Sequence, residues 1–261
     1  LPARIVVLSE DPDGLAGINQ AKYASAMQAR YVKLRPYIDA RENREQWCIA
    51  AVPGVKWAKK VFPDLPKSRA VEKLWEAILS CSRALEGDPQ ENWRQHNLEL
   101  KSRAEALNAM GLVALEYSSA NGTDLRVGLI PEALFLGGAE RCPVNGVMYD
   151  PNIPSEELFI TPRAGEAEGI VYATRPLAFQ GVLIEDFWLR FAGGRVVELH
   201  AEKNEDALRT LVEMDEGSAM LGECALVPYM SPIRESGILF YNTLFDENAA
   251  CHLALGRGYS S

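Results

Sequence analysis

Residues 112–130 read LVALEYSSANGTDLRVGLI, and the pattern of the chain changes at this stretch. Two apolar runs lie on either side of Asn121-Gly122, the dipeptide most typical of a tight β-hairpin. Helical patterns dominate before this hairpin, and strand patterns dominate after it. We therefore expect an α/β (α+β) fold, with a helix-rich α/β part at residues 1–110 and a strand-rich part at residues 111–261.

The helix-rich part contains two short apolar runs that predict buried strands, at residues 5–8 and 47–52. The helix at 88–110 has a well-marked start, because Asp88 can cap it and Pro89 suits its first position. Within this helix His96 has polar neighbours, so we expect it to be exposed to solvent. The helices expected in this part cover residues 15–45 (interrupted near Pro36), 55–62, 68–85 and 88–110.

The strand-rich part continues from the hairpin into three further strand patterns and one helix. In the last of these strands, Glu198, His200 and Glu202 share one face. Their alternation with apolar residues predicts a solvent-exposed sheet face rather than a metal site. The strands cover residues 170–174, 182–191 and 196–201, the helix covers 205–214, and a short apolar run lies at 225–227.

The composition of the 261-residue chain excludes several classes of function. A net charge of -9 disfavours a general nucleic-acid binder, which needs a basic surface for phosphates. No apolar run has the length of a membrane span, and no signal-peptide pattern is visible, so we expect no membrane partner. The five cysteines form no C-x-x-C pair, which favours reduced thiols in a cytoplasmic protein.

Three segments place acidic residues in apolar surroundings. Glu156 and Glu157 are adjacent in one segment, Glu223 lies in the second, and Glu247 precedes His252 in the third. A charge in such a place is costly unless it is paired or bound to metal, so these residues are candidates for a metal site. The alternatives are a helix N-terminus at the first segment, a salt bridge at the second, and a core histidine in the third.

These segments resemble the signature segments of the thermophilic-type metallo-aminopeptidases, the family of aminopeptidase T, aminopeptidase S and PepS. The resemblance extends over nearly the whole chain. The similar segments are residues 152–162, 221–228 and 240–259, together with Trp57-Ala58, Phe62-Pro63-Asp64-Leu65, Leu74-Trp75-Glu76 and Gly122-Thr123-Asp124-Leu125.

The resemblance implies a site with two divalent metal ions (Zn, Co, Mn or Mg). Such a site would hydrolyse the N-terminal residue from peptides that have a free N-terminus. By position, Glu157, Glu223, Glu247 and His252 match metal ligands of the family. The resemblance also suggests a homodimer. Hard divalent ions prefer carboxylate oxygens and accept imidazole as an additional ligand, which agrees with these residue types.

Two further residues are candidates for catalysis. Tyr259 matches the tyrosine that steadies the tetrahedral intermediate in the family, since its hydroxyl can donate to an oxyanion. Glu156, beside a ligand, is a candidate general base. Family members continue past the tyrosine to a His-x-Asp pair and have an additional N-terminal segment, so we expect an incomplete fragment. The alternatives are a non-catalytic α/β binding or dimerisation module, or a di-metal amidohydrolase acting on non-peptide amides.

Overall fold

The structure, a computed structural model, describes residues 3–41 and 44–258, and it combines helices and sheets as the α/β prediction requires. No helix within these residues is long and apolar enough to cross a membrane. The elements in chain order are β1 (Arg4–Leu8), α1 (Gln20–Asp39), β2 (Trp47–Ala51), α2 (Val55–Val61), α3 (Lys67–Cys81), α4 (Pro89–Ala109), β3 (Ala114–Ser118), β4 (Asp124–Leu129), β5 (Glu140–Arg141), β6 (Met148–Tyr149), β7 (Leu158–Ile160), β8 (Pro162–Tyr172), β9 (Leu177–Phe179), β10 (Val182–Ala192), β11 (Arg195–Lys203), α5 (Glu205–Val212), β12 (Leu221–Leu226), α6 (Pro232–Ser236), α7 (Thr243–Asp246), a 3-10 helix (Glu247–Ala249) and β13 (His252–Leu255).

The first part of the chain follows the sequence pattern closely. Strands β1 and β2 pair in parallel. Helix α4 begins where expected, because the Asp88 side chain accepts a hydrogen bond from the backbone N of Gln90. The interruption expected near Pro36 is wrong, since α1 continues to Asp39. Pro36 lies in the last turn, where a missing N–H removes a single helical hydrogen bond, and its carbonyl still accepts from Ala40 N.

The Asn121-Gly122 hairpin is confirmed as the β3–β4 turn. Gly122 has a φ of 99°, and the Asn121 side chain accepts from the backbone N of Thr123 at 3.0 Å. The hairpin is one edge of a larger sheet with the order β11-β10-β8-β4-β3, and β9 pairs with β10. Strand β8 begins at Pro162, earlier than predicted. Residues 163–168 (RAGEAE) have no apolar run, yet Ala167 and Glu168 pair with Val127 and Arg126 of β4.

A second sheet has the order β13-β12-β7, and it positions the candidate site. Ala225 of β12 lies opposite both Phe159 of β7 and His252 of β13. Residues directly opposite each other share a sheet face, as do residues two apart along a strand. Glu223, Phe159 and His252 therefore lie on one face. The other face carries Cys224 and residues of the hydrophobic core.

Among the residues that the structure describes, two clusters of buried side chains form the core. The first packs the larger sheet against α4 and α5. The second joins α2 and α3 to residues 233–249, and in it the Trp57 indole N–H donates to the carbonyl of Phe240 at 2.5 Å. The segment that contains Glu247 is therefore held against helices from the first part of the chain. The division of the chain near residue 111 stays a prediction.

Candidate metal centre

The second sheet brings together three of the residues that the sequence singled out. Glu157 directly precedes β7, Glu223 lies in β12, and His252 is the first residue of β13. One potential ligand atom from each of these side chains lies within 4.8 Å of the others. The helix N-terminus considered for the first segment is not found among the described residues, because Glu157 directly precedes β7. At the second segment Glu223 lies close to the His252 imidazole.

The orientation of these side chains fits a metal ion. His252 Nε2 lies 3.0 Å from Glu157 Oε2 and 3.5 Å from Glu223 Oε1. Both Nε2 of His252 and Oε2 of Glu157 are buried, and neither has an aligned hydrogen-bond partner among the described residues. Buried polar atoms of this kind are rare in folded proteins and often indicate an ion.

The other ring nitrogen of His252 fixes the tautomer. Nδ1 lies 3.1 Å from the backbone oxygen of Ala250, so the Nδ1–H group donates a hydrogen bond to this oxygen. In a neutral ring this leaves the Nε2 lone pair facing Glu157 and Glu223, as in metal sites where a backbone carbonyl orients the imidazole.

The site holds more negative than positive charge. Burial alone would lower the pKa of His252, but the carboxylates of Glu157 and Glu223 raise it to about 11. Burial raises the pKa of Glu247 to about 8, and the nearby negative charge of Glu157 adds to this rise. Without a metal, the site therefore retains protons that a bound cation would replace.

Glu247 lies near this group without joining it. It is the first residue of the 3-10 helix, and it interacts electrostatically with Glu157, Glu223 and His252. Within the described part of the chain, the compact group of ligand atoms comprises those other three residues only. The neighbouring Asp246 has a structural role, because its carboxylate accepts from the backbone N of Phe240. The role of Glu247 as a ligand stays a prediction.

Glu156 contacts different partners from Glu157. Its carboxylate is only 3% exposed, and both of its oxygens pair with the guanidinium of Arg83, with Nη2 and Oε2 separated by 2.8 Å. Because both oxygens already accept hydrogen bonds from Arg83, the contact does not support the predicted general-base role. Tyr259 lies outside the described residues, and its predicted role is likewise untested.

Sequence reasoning missed three residues around Glu156: Arg83, His96 and Asn248. The prediction that His96 is exposed is wrong, since only 4% of it is accessible and its Nε2 donates to the backbone oxygen of Ser155 at 2.7 Å. A signal was available, because Trp93, Leu100 and Ala104 form a buried stripe on α4 that includes His96. No local signal indicates Arg83 or Asn248.

A small cavity of about 40 Å³ adjoins Glu157. Three aromatic side chains, Trp47, Trp93 and Phe159, form much of its wall. Glu140 and Asp150 also line it, but their carboxylates accept hydrogen bonds from Tyr149 and Asn97. The cavity is therefore a largely apolar space next to the metal-binding candidate.

Comparison with known proteins identifies a family of metalloproteases. A family model described as thermophilic metalloprotease (M29) matches residues 1–261. Aminopeptidase T from Thermus aquaticus is 42% identical over 259 residues, which are 99% of this chain and 63% of that protein. Aminopeptidase AmpS from Bacillus subtilis is also 42% identical, again over 99% of this chain and 63% of the relative.

A solved structure of a named relative is also similar to this chain. Wild-type AmpT from Thermus thermophilus matches with a TM-score of 0.88 and 41% sequence identity, covering 98% of this chain and 63% of that one. The chain thus spans about 63% of the length of the curated relatives it matches. Because the family model extends over residues 1–261, the chain belongs to the thermophilic metalloprotease family M29.

Proposed function

We propose that the protein is a metal-dependent aminopeptidase that hydrolyses the N-terminal residue of peptides at a site for two divalent metal ions. The proposal rests on the buried Oε2 of Glu157 and Nε2 of His252, which face each other beside Glu223 without an aligned hydrogen bond. The relatives that are named aminopeptidases support the substrate class.

In this proposal the chain's own residues bind the metal and orient the substrate. Glu157, Glu223 and His252 are ligands, and Glu247 completes a carboxylate-rich set suited to Zn, Co, Mn or Mg. When bound, such ions supply an activated water and polarise the scissile carbonyl. The surplus of carboxylates attracts the α-ammonium group of the peptide. The Tyr259 hydroxyl donates to the oxyanion.

The aromatic cavity next to Glu157 is the proposed place for the side chain of the substrate's first residue. Phe159 shares a sheet face with Glu223 and His252, so its ring lies beside the proposed metal site. The volume of about 40 Å³ is only a few times the roughly 10–15 Å³ that a single water molecule requires, so the space is small. As it stands, this cavity favours a small apolar side chain.

The proposal includes a cytoplasmic homodimer with reduced thiols. All five cysteines lie within the described residues, and none forms a disulfide. The family resemblance suggests the dimer. Light scattering coupled to size-exclusion chromatography tests it, because a monomeric mass would contradict it.

A comparison of aminoacyl substrates tests the activity. The protein, saturated with Co²⁺, Mn²⁺ or Zn²⁺, is assayed with alanine and leucine p-nitroanilides and with their N-acetylated forms. We expect hydrolysis of the free amines only, and loss of activity on chelation and in Glu223→Gln. Substitution of the exposed Glu132 by Gln is the matched control.

Two outcomes would contradict the proposed aminopeptidase activity. Equal hydrolysis of the N-acetylated amides would favour an amidohydrolase for non-peptide substrates. Absence of hydrolysis by the metal-bound protein would favour a non-catalytic binding or dimerisation role.

A further inference from the structure

The two residues before Glu157 are fixed by three side chains from separate parts of the chain. One contact holds the carbonyl of Ser155, and the other two hold the carboxylate and the backbone N–H of Glu156. His96 Nε2 donates to Ser155 O at 2.7 Å. The Arg83 guanidinium pairs with the Glu156 carboxylate. Asn248 Oδ1 accepts from Glu156 N at 2.7 Å.

Asn248 joins two segments that contain candidate ligands. It is fully buried and follows Glu247 directly. Its Nδ2 donates to the carbonyl of Leu244 at 3.1 Å, and its own carbonyl accepts from Ser231 Oγ at 2.6 Å. Because Oδ1 accepts from Glu156 N, this one side chain sets the distance between the segment before Glu157 and the segment of Glu247.

Arg83 holds the segment before Glu157 through the side chain of Glu156. Its φ of 55° lies in the left-handed region, which side chains other than glycine rarely adopt. The Asn92 side chain donates to the Arg83 carbonyl at 2.9 Å and stabilises this conformation. The guanidinium then meets both oxygens of the buried Glu156 carboxylate, in the planar, paired geometry that gives arginine its directional preference.

We propose that Arg83 and Asn248 are positioning residues that hold Glu157 and Glu247 in the geometry required for metal binding. The inference rests on the proposed metal site. Glu156 is thereby the anchor of Glu157 rather than a base. Partners that orient metal ligands typically change metal affinity 10- to 100-fold when they are removed. Since the Arg83 guanidinium pairs with the Glu156 carboxylate and Asn248 Oδ1 accepts from Glu156 N, their effect must act through the segments they fix.

Metal titration tests this role independently of activity. Isothermal titration with Mn²⁺ gives the dissociation constant, and the visible absorption spectrum with saturating Co²⁺ reports ligand geometry. We expect Arg83→Lys and Asn248→Ala to weaken Mn²⁺ binding about 10- to 100-fold and to change the Co²⁺ spectrum. Arg94→Lys is the matched control, because Arg94 forms a two-bonded but exposed pair with Glu91 and should change neither.

The outcomes separate this inference from the proposed function. Wild-type affinity and an unchanged Co²⁺ spectrum in folded Arg83→Lys and Asn248→Ala would overturn the positioning role while the metal site stands. Undiminished affinity in Glu157→Gln would overturn the metal site itself, and this inference with it. If Asn248→Ala does not fold by circular dichroism, Arg83→Lys, which keeps the positive charge, decides the question.

Discussion

Nε2 of His252 lies 3.0 Å from Oε2 of Glu157, yet the two buried atoms are not aligned as hydrogen-bond donor and acceptor. Burial alone would lower the pKa of His252, but the carboxylates of Glu157 and Glu223 raise it to about 11, so without metal the imidazole carries a proton between them. A cation that contacts both atoms takes the place of this proton. Only the folded chain brings the two atoms together, so a cation bound there favours the folded state.

Metal should therefore stabilise the folded protein. At a free metal concentration 100 times the dissociation constant, binding contributes about 2.7 kcal/mol to the free energy of unfolding. We expect Zn²⁺ or Mn²⁺ to raise the Tm of the wild type in a thermal melt, and Glu223→Gln to abolish this rise. Glu132→Gln should keep it, because Glu132 is exposed. An equal rise in Glu223→Gln would place the metal elsewhere.

The contribution of Glu247 to the stability of the metal-free protein should fall as the pH rises from 5 to 6.5. Burial raises the pKa of Glu247 from 4.5 to about 8, so the folded state keeps a proton that the unfolded chain loses. Stability from this group is complete below about pH 4.5 and is lost as the pH approaches 8. The raised pKa of His252 acts with the same sign, but only between 6.5 and about 11.

Glu247→Gln isolates this contribution. The variant cannot ionise at the position, so its free energy of unfolding should fall less than that of the wild type between pH 5 and 6.5. The difference in slope can reach about 1.4 kcal/mol per pH unit for one proton. Urea titrations in the presence of a chelator measure it. Parallel curves for the two proteins would show that Glu247 does not titrate there.

Removal of Arg83 should destabilise the fold strongly. Arg83→Met leaves the buried Glu156 carboxylate unpaired, which typically costs about 3–5 kcal/mol. The double variant Arg83→Met/Glu156→Met should recover most of this loss, because it removes both charges. Arg94→Met breaks an exposed pair and should cost about 0–1 kcal/mol. Denaturant unfolding that ranks Arg83→Met and Arg94→Met equally would contradict this expectation.

Local patterns determined which features could be predicted from the sequence. The Asn121-Gly122 hairpin and the capped start of α4 depend on neighbouring residues, and both are present. The M29 family was identified correctly, because its acidic segments are short and contiguous. The sequence also singled out Glu157, Glu223 and His252 as candidates, although it gave no geometry for them.

The contacts around Glu156 could not be predicted, because they join distant parts of the chain. Arg83 is 73 positions from Glu156, and Asn248 is 92 positions from it. No local pattern encodes such pairings. The family resemblance assigned a ligand role to Glu157 and a base role to Glu156. Only the fold shows that the Glu156 carboxylate pairs with Arg83 while that of Glu157 faces His252.

The aromatic cavity beside Glu157 predicts a change in substrate preference. Phe159→Ala removes one wall of this cavity, so larger first residues should be accepted better. Because one methylene group is worth about 10- to 200-fold in discrimination, we expect the ratio of kcat/KM for leucine over alanine p-nitroanilide to rise at least about 10-fold. Phe179→Ala is the control, since Phe179 packs against the first core cluster and does not line the cavity. If Phe159→Ala, like the control, keeps the wild-type ratio while hydrolysing both substrates, the side chain of the substrate's first residue binds elsewhere.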